Sequence, residues 1–265
     1  MIRVMTWNLW WRFGPWAARQ AAIAAVLQRE GADLIGLQEV WVEEEGPNQA
    51  AVLAGHLGYH YTHGELRYRE GLAFTNAVLS RWPIEETVCL SLPAAPGVVS
   101  HRQAVAAKVR APVGPILFVT THLDWAFDAS ATRQAQVAAV CRLVQEHRPD
   151  PTTGYPAILT GDLNACPHAE ELRMLTGAAP VPVAGLSFVD AWEVAGGNGP
   201  GHTWNGANPY LADAAYPNRR LDYVLVSWPR PKPQGSLAAV WTAGAEPVAG
   251  VTPSDHYAVV ADLRS

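Results

Sequence analysis

Hydrophobic residues fall in short runs along this chain, each closed by a polar cluster, and the spacing inside each run predicts its element. Residues 2–9 read as a strand. The alanine-rich stretch 16–30 reads as an amphipathic helix stopped by Gly31. Residues 33–40 follow as a buried strand, and 48–57 as a second helix ended by glycine. Further strands are expected at 72–80, 103–110, 116–122 and 157–162, with a helix at 130–147 between the last two. Strands at 221–227, 237–241 and 257–263 close the series. Residues 177–218 are dense in Gly, Pro, Asn and Ala and read as long loops. Strands outnumber helices, and some helices lie between strands. That pattern predicts two sheets packed face to face with helices outside, in a single domain over residues 1–265.

Polar residues recur where apolar strands stop. Asn8 closes the first strand, Glu39 the second, His122 the strand at 116–122, and Asp162 with Asn164 the strand at 157–162. Asp255 and His256 open the last strand. Each has a plain alternative alone: a turn residue for Asn8 or Asp162, a surface carboxylate for Glu39, a structural imidazole for His122. Asp222 differs, because it sits within the apolar run Leu221-Asp222-Tyr223-Val224, where a carboxylate needs a partner. The recurrence at so many strand ends in one chain is not explained by turns.

The residue types define a chemistry. Hard oxygen donors such as Glu39, Asp255 and an Asn8 carbonyl suit Mg²⁺ or Mn²⁺. Cys89, Cys141 and Cys166 are far apart, lack zinc spacing, and read as buried free thiols. Hydrolysis of a phosphate ester needs charge relief at the phosphoryl oxygens, a positioned water and a proton donor for the leaving group. Metal, Asn, His and Asp side chains can fill those roles.

The motifs MTWNLW, LQEV, NAVLSRWPI, TTHLD, TGDLNA, RRLDYVLVS and PSDHYAV occur in that order between residues 4 and 260. The set resembles the endonuclease/exonuclease/phosphatase superfamily. The resemblance implies a four-layer α/β/β/α sandwich with two packed mixed sheets. It implies metal binding by Asn8 and Glu39 with Asp255 nearby, water orientation or activation by Asp162, and phosphoryl binding by Asn164. His256, supported by Asp222, is implied as general base or phosphate contact. His122 is implied to stabilise the transition state or protonate the leaving oxygen. A His at position 122 is similar to the DNase I and sphingomyelinase branches and unlike AP endonucleases. Gln103 stands where a DNase I-like Glu would partner that His.

Charge narrows the substrate. The net charge is −5, and only Lys108 and Lys232 among the 19 basic residues are lysines, with no basic run. A chain that tracks nucleic-acid backbone usually carries a basic stripe. Aromatic residues cluster after Asn8 (Trp10, Trp11, Phe13, Trp16), after His122 (Trp125, Phe127) and before Asp222 (Trp204, Tyr210). They either rim the site or pack its loops onto the sandwich. Arg102, Trp125, Trp204 and Arg220 are the candidate substrate contacts. The expected function is a Mg²⁺- or Mn²⁺-dependent phosphodiesterase on a small-molecule or lipid-headgroup phosphodiester. The alternatives are a nuclease, with nucleic acid as substrate, and a catalytically inert binding module, against which the intact polar set argues. No obligate protein partner is evident, no run is long and apolar enough to span a membrane, and no leader precedes the first strand, so a cytoplasmic protein is expected.

Overall fold

Side chains of a strand alternate between its two faces, and here that alternation builds three separate cores. The computed structural model describes residues 1–95, 97–197, 199–212 and 216–265. Its elements run β1 (Ile2–Asn8), α1 (Trp16–Glu30), β2 (Leu34–Glu43), α2 (Gln49–Leu57), β3 (His60–His63), β4 (Leu72–Ser80), β5 (Ile84–Ser91), β6 (Gln103–Ala111) and β7 (Gly114–His122). They continue α3 (Ser130–His147), β8 (Ile158–Asp162), α4 (Glu170–Thr176), β9 (Ser187–Asp190), α5 (Ala191–Ala195), β10 (Asp222–Trp228), β11 (Leu237–Ala243) and β12 (Ala258–Leu263).

The strands form two six-stranded sheets, ordered β11-β12-β1-β2-β4-β3 and β5-β6-β7-β8-β10-β9. Both are mixed: β1 runs parallel to β2 and β7 parallel to β8, while the other pairs are antiparallel. Ile2, Val4, Leu34, Phe118, Ile158, Val224 and Val259 fill the space between the sheets. Met5, Trp7, Ile35 and Leu37 face away, onto Ile23, Val26 and Leu27 of α1 and Leu53 of α2. On the other side Leu117, Val119 and Leu159 meet Val137, Val140 and Val144 of α3 and Leu172 of α4. This is the expected α/β/β/α sandwich.

The expected bounds of α1, β4 and α3 are reproduced. α2 begins after Asn48, whose Oδ1 accepts from the backbone N–H groups of Ala50 and Ala51. Four departures stand out. The edge strands β3 and β5 and the short helix α4 carried too little apolar alternation to be read. Within residues 177–218, read as loops, β9 and α5 form; Asp190 caps α5 by accepting from Trp192 N–H. Positions 198 and 213–215 of that stretch lie outside the described residues. Finally, only Cys141 of the three free thiols is buried, while Cys89 and Cys166 are partly exposed. Among the described residues no helix is long and apolar enough to cross a membrane.

The sheets meet closely at a polar seam. Gln38 Nε2 donates across it to Thr120 Oγ1 (2.8 Å) and within its own sheet to Thr6 Oγ1 (3.1 Å). Gly36 makes room for this approach, since a Cβ there would lie 2.9 Å from Thr120 Cβ and closer still to two threonine hydroxyls. Thr120 and Thr160 are short, branched and buried, so they have little freedom to yield. Gly36→Ala is therefore expected to cost about 1–3 kcal/mol of stability through overpacking. Urea unfolding monitored by tryptophan fluorescence measures this; a wild-type midpoint would show that the seam opens without strain.

Candidate active site

The seam ends in a cavity because polar residues take over the inward-facing positions at one edge of both sheets. On β7 the inward series Ile116, Phe118, Thr120 continues to His122. On β8 Ile158 and Thr160 continue to Asp162, and on β10 Val226 and Val224 lead to Asp222. Register aligns the last three: Asp162 lies opposite His122 on one side and Asp222 on the other. On β1 the series Ile2, Val4, Thr6 continues to Asn8.

Glu39 reaches the same cavity by breaking the alternation. Regular pleating would send it outward with Ile35 and Leu37. The β2–β4 register instead shifts between Leu37 and Val40, and Glu39 adopts φ 55°. A non-glycine residue in that region is uncommon, and the bulge re-aims its side chain.

The resulting cavity, about 430 Å³, includes Asn8, Glu39, His122, Asp162, Asn164, Asp255 and His256 in its lining. Asp222 is fully buried behind it. Arg102, Trp125 and Trp204 also line it. Arg220 does not, which corrects the expectation of a substrate contact. Its guanidinium is buried in an ion pair with Asp190 and lies over the Tyr223 ring. Arg219 lines the cavity instead, stacked 4.6 Å from the Phe127 ring centre.

Hydrogen bonds define a network. His256 Nδ1 lies 2.8 Å from Asp222 Oδ2, and its Nε2 lies 3.8 Å from Asp162 Oδ2. His122 Nε2 approaches the same Asp162 oxygen at 3.5 Å. Asn8 donates from Nδ2 to Asp162 (3.0 Å) and Glu39 (3.2 Å), while its Oδ1 accepts from Trp10 N–H. Asn8, expected as an oxygen ligand, thus spans two carboxylates as a donor. Gln103 does not touch His122: its amide binds the backbone of Glu65 and the Thr75 hydroxyl. His122 Nδ1 and Glu39 Oε2 are buried with no hydrogen-bond partner among the described residues.

Burial sets the ionisation. It is the largest influence on Glu39, reinforced by Asp255, and pushes that carboxyl up to about 7. Burial and then Asp222 push Asp162 up to about 6. Asp255 is also raised, chiefly by burial. Burial, then Arg102 and His256, holds His122 well below the usual imidazole range, so it is neutral. For His256 burial acts downward, but the carboxylates of Asp222, Asp162 and Asp255 outweigh it and raise the imidazole well above its ordinary value.

A cation fits this arrangement at Glu39. Glu39 Oε2 has no hydrogen-bond partner among the described residues, Asp255 lines the same cavity and raises the Glu39 carboxyl, and a divalent ion would relieve both charges. Asp162, Asp222 and His256 also bring potential ligand atoms within 4.8 Å of one another. There, however, His256 Nδ1 is already committed to Asp222, and the row reads better as a proton-handling chain.

Several residues that hold the site escaped the sequence reading. Arg19 of α1 is fully buried and donates to the carbonyls of Leu9, Trp10, Trp11, Phe13 and Pro253, gathering the segments beside Asn8 and Asp255. Arg133 of α3 does likewise for Asp124 and Ala126, after His122, and pairs with Glu171. Thr203 accepts from Leu221 and Asp222 N–H through its hydroxyl and from Tyr257 N–H through its carbonyl. One signal was available: Arg19 shares a helix face with the apolar Ala22, Ile23 and Val26. The aromatic clusters divide. Trp10 packs against Tyr210, joining two loops, and Trp16 of α1 meets Trp41 of β2 edge-on, so both serve packing. Trp125 (67% exposed) and Phe127 (56%) stand open at the mouth.

Residues 5–256 match the model of the Endonuclease/Exonuclease/phosphatase family, and the chain belongs to that family. It is similar to inositol phosphosphingolipids phospholipase C of Saccharomyces cerevisiae, at 27% identity over 185 residues, which are 63% of this chain and 35% of that relative. Among solved structures it is similar to D. rerio TDP2 complexed with a single-strand DNA product (TM-score 0.77, 18% identity, 100% of this chain and 99% of that one). It is also similar to an endonuclease/exonuclease/phosphatase from Beutenbergia cavernae (TM-score 0.69, 26% identity, 99% and 71%).

The raised Glu39 carboxyl has a thermodynamic consequence. A group whose pKa is higher folded than unfolded stabilises the fold below its unfolded value, and that contribution is lost as pH rises through the folded value. With Glu39 near 4.5 unfolded and about 7 folded, the metal-free protein pays increasingly for this charge between those values. Glu39→Gln is expected to gain stability relative to wild type across that window, by on the order of 3 kcal/mol at its top. His122 titrates in the opposite sense in both proteins, so the difference isolates Glu39. Melting temperatures in EDTA from pH 4 to 8 give the comparison; a pH-independent difference would contradict the assignment.

Proposed function

We propose that this protein is a Mg²⁺- or Mn²⁺-dependent phosphodiesterase that favours small-molecule or lipid-headgroup phosphodiesters. The supporting observation is a single cavity that gathers Glu39, with one unpartnered oxygen, Asp255 and His256 from the first sheet's side and Asp162 and His122 from the second, with Asp222 behind it bonded to His256. Glu39 and Asp255 would hold the ion, with Asn8 fixing the Glu39 carboxylate. When bound, the ion supplies charge relief at the phosphoryl oxygens.

The chain's own groups supply the rest. Asp162, with its carboxyl near 6, takes the proton of the attacking water; a base poised close to the operating pH is the effective one. His256, charged and oriented through Nδ1 by Asp222, offers its Nε2–H to a phosphoryl oxygen. Neutral His122 hydrogen-bonds the oxygen that gathers charge as the ester bond breaks. Asn164 is held at φ 48° by its N–H bond to Asp162, which turns it into the cavity.

A nuclease is the second reading, favoured by the likeness to TDP2 bound to a DNA product. Against it stand the net charge of −5 and two lysines. The relative that acts on phosphosphingolipids supports the preferred substrate class.

EDTA is expected to abolish hydrolysis of bis-p-nitrophenyl phosphate, and Mg²⁺ or Mn²⁺ to restore it; turnover that survives exhaustive chelation would remove the metal from the reaction. His256→Ala should lose roughly 10²–10⁴-fold in kcat, the span of a group acting on a proton or developing charge. Asp222→Asn should also lower kcat while the protein stays folded, and full activity would make Asp222 structural. For substrate choice, kcat/KM on a choline phosphodiester should exceed that on supercoiled plasmid at about 0.15 M salt, where nonspecific DNA contacts are screened. Efficient plasmid nicking under those conditions would make the nuclease reading the correct one.

A further inference from the structure

A second, larger cavity of about 640 Å³ adjoins the catalytic one, and Phe74, Arg102 and Trp125 line both. Its walls are the segments before β4 and before β6, joined by Arg67, which donates to Ser100 O and Ser91 Oγ. Tyr68, Leu72, Val98 and Val99 line it beside the three shared residues. Val98 is 61% and Val99 68% exposed. These valines share the lining with the open Trp125 and with the ionisable side chains of Glu65, Arg67, Arg69, Glu70, His101 and Asp124, and apolar groups gathered in such a concave site mark a binding groove.

Resting on the phosphodiesterase reading, we propose that this groove seats an unbranched alkyl substituent esterified to the phosphate, running from the catalytic cavity past Arg102 along Phe74 and Val99. Three observations favour a chain over a nucleobase. Trp11 and Phe74 meet edge-on, 60° between planes and 6.5 Å between centres, so that pair forms no parallel slot for a planar base. Two of the polar groups that might read a base edge are already engaged, the Arg67 guanidinium with Ser91 and Ser100 and the Gln103 amide with Glu65 and Thr75, while Arg69, Glu70 and His101 also line the groove. Arg102 stands at the junction without a side-chain hydrogen bond or ion pair among the described residues, in the field of Glu39, Asp162 and Asp124. It is placed to hold a phosphate oxygen while the chain departs into the groove.

The test is a series of p-nitrophenyl phosphodiesters whose second substituent is methyl, butyl, octyl or thymidine, each dissolved below its micelle concentration. Burying a methylene strengthens binding about fourfold when complete. In a half-open groove kcat/KM is expected to rise about tenfold or more from methyl to octyl. The thymidine ester should show no comparable gain. Val99→Asp should drive the octyl-to-methyl ratio toward one, whereas Val52→Asp on the remote α2 surface should not. A flat series, a gain for thymidine matching octyl, or a ratio unchanged by Val99→Asp would overturn the groove. Vesicle-borne ester cleaved well while dissolved octyl ester is not would also overturn it, since the chain would then stay in the bilayer. If no diester is turned over in Mg²⁺ or Mn²⁺, the phosphodiesterase reading fails separately. Calorimetric titration with methyl and octyl phosphate then decides the groove alone: tenfold tighter octyl binding supports it, and equal binding rejects it.

Discussion

Four carboxylates share one water-poor cavity or stand directly behind it, and the rest of the site answers that constraint. Asp162, Asp222 and Asp255 are buried and Glu39 is mostly so, and like charges gathered in this way cannot all remain ionised without compensation. The protein compensates in pieces. Asn8 donates to two of them, His256 takes a proton and spends it on three, and Glu39 keeps one oxygen free. A fold optimised only for stability would avoid such a cluster. Its presence at the end of a polar seam between two otherwise apolar faces is what supports the proposed site.

The two sheets contribute unequally. The first supplies Asn8, Glu39 and Asp255, and the second supplies His122, Asp162 and Asp222 in adjacent register. His256, on the approach to the first sheet's last strand, crosses to Asp222 on the second and so ties the two sets of side chains together. Strands pair only within their own sheet. Alignment of the halves therefore rests on side chains across the seam, with Gly36 permitting the approach and Gln38 bonding through it.

Legibility in the sequence followed burial. Strands that are almost wholly buried and mostly apolar, such as β4 and β7, announced themselves, and so did the larger helices. β3 and β5 lie at sheet edges; HYTH and IEETVCLS expose most of their side chains and carry no alternation to read. The residues facing the cavity were visible as polar interruptions in apolar runs, because an inward position that should be hydrophobic was not. What could not be seen was orientation. The bulge that turns Glu39 inward needs the partner strand, and Arg220 differs from Arg219 only in which face of the chain it occupies. Arg19, Arg133 and Thr203 act on backbone groups, which every residue has, so no partner residue flags them.

Arg19 carries a consequence of its own. Its guanidinium gathers five carbonyls, and no carboxylate is among its hydrogen-bond partners. Carbonyls do not titrate, and an arginine remains protonated throughout the physiological range even when burial lowers its pKa. The clamp on the segments flanking Asn8 and Asp255 is thus indifferent to acidity, while the groups it positions are acutely sensitive to it. The frame and the cavity are decoupled in their response to protons, so the cavity can change its charge state without loosening the Arg19 contacts that shape it.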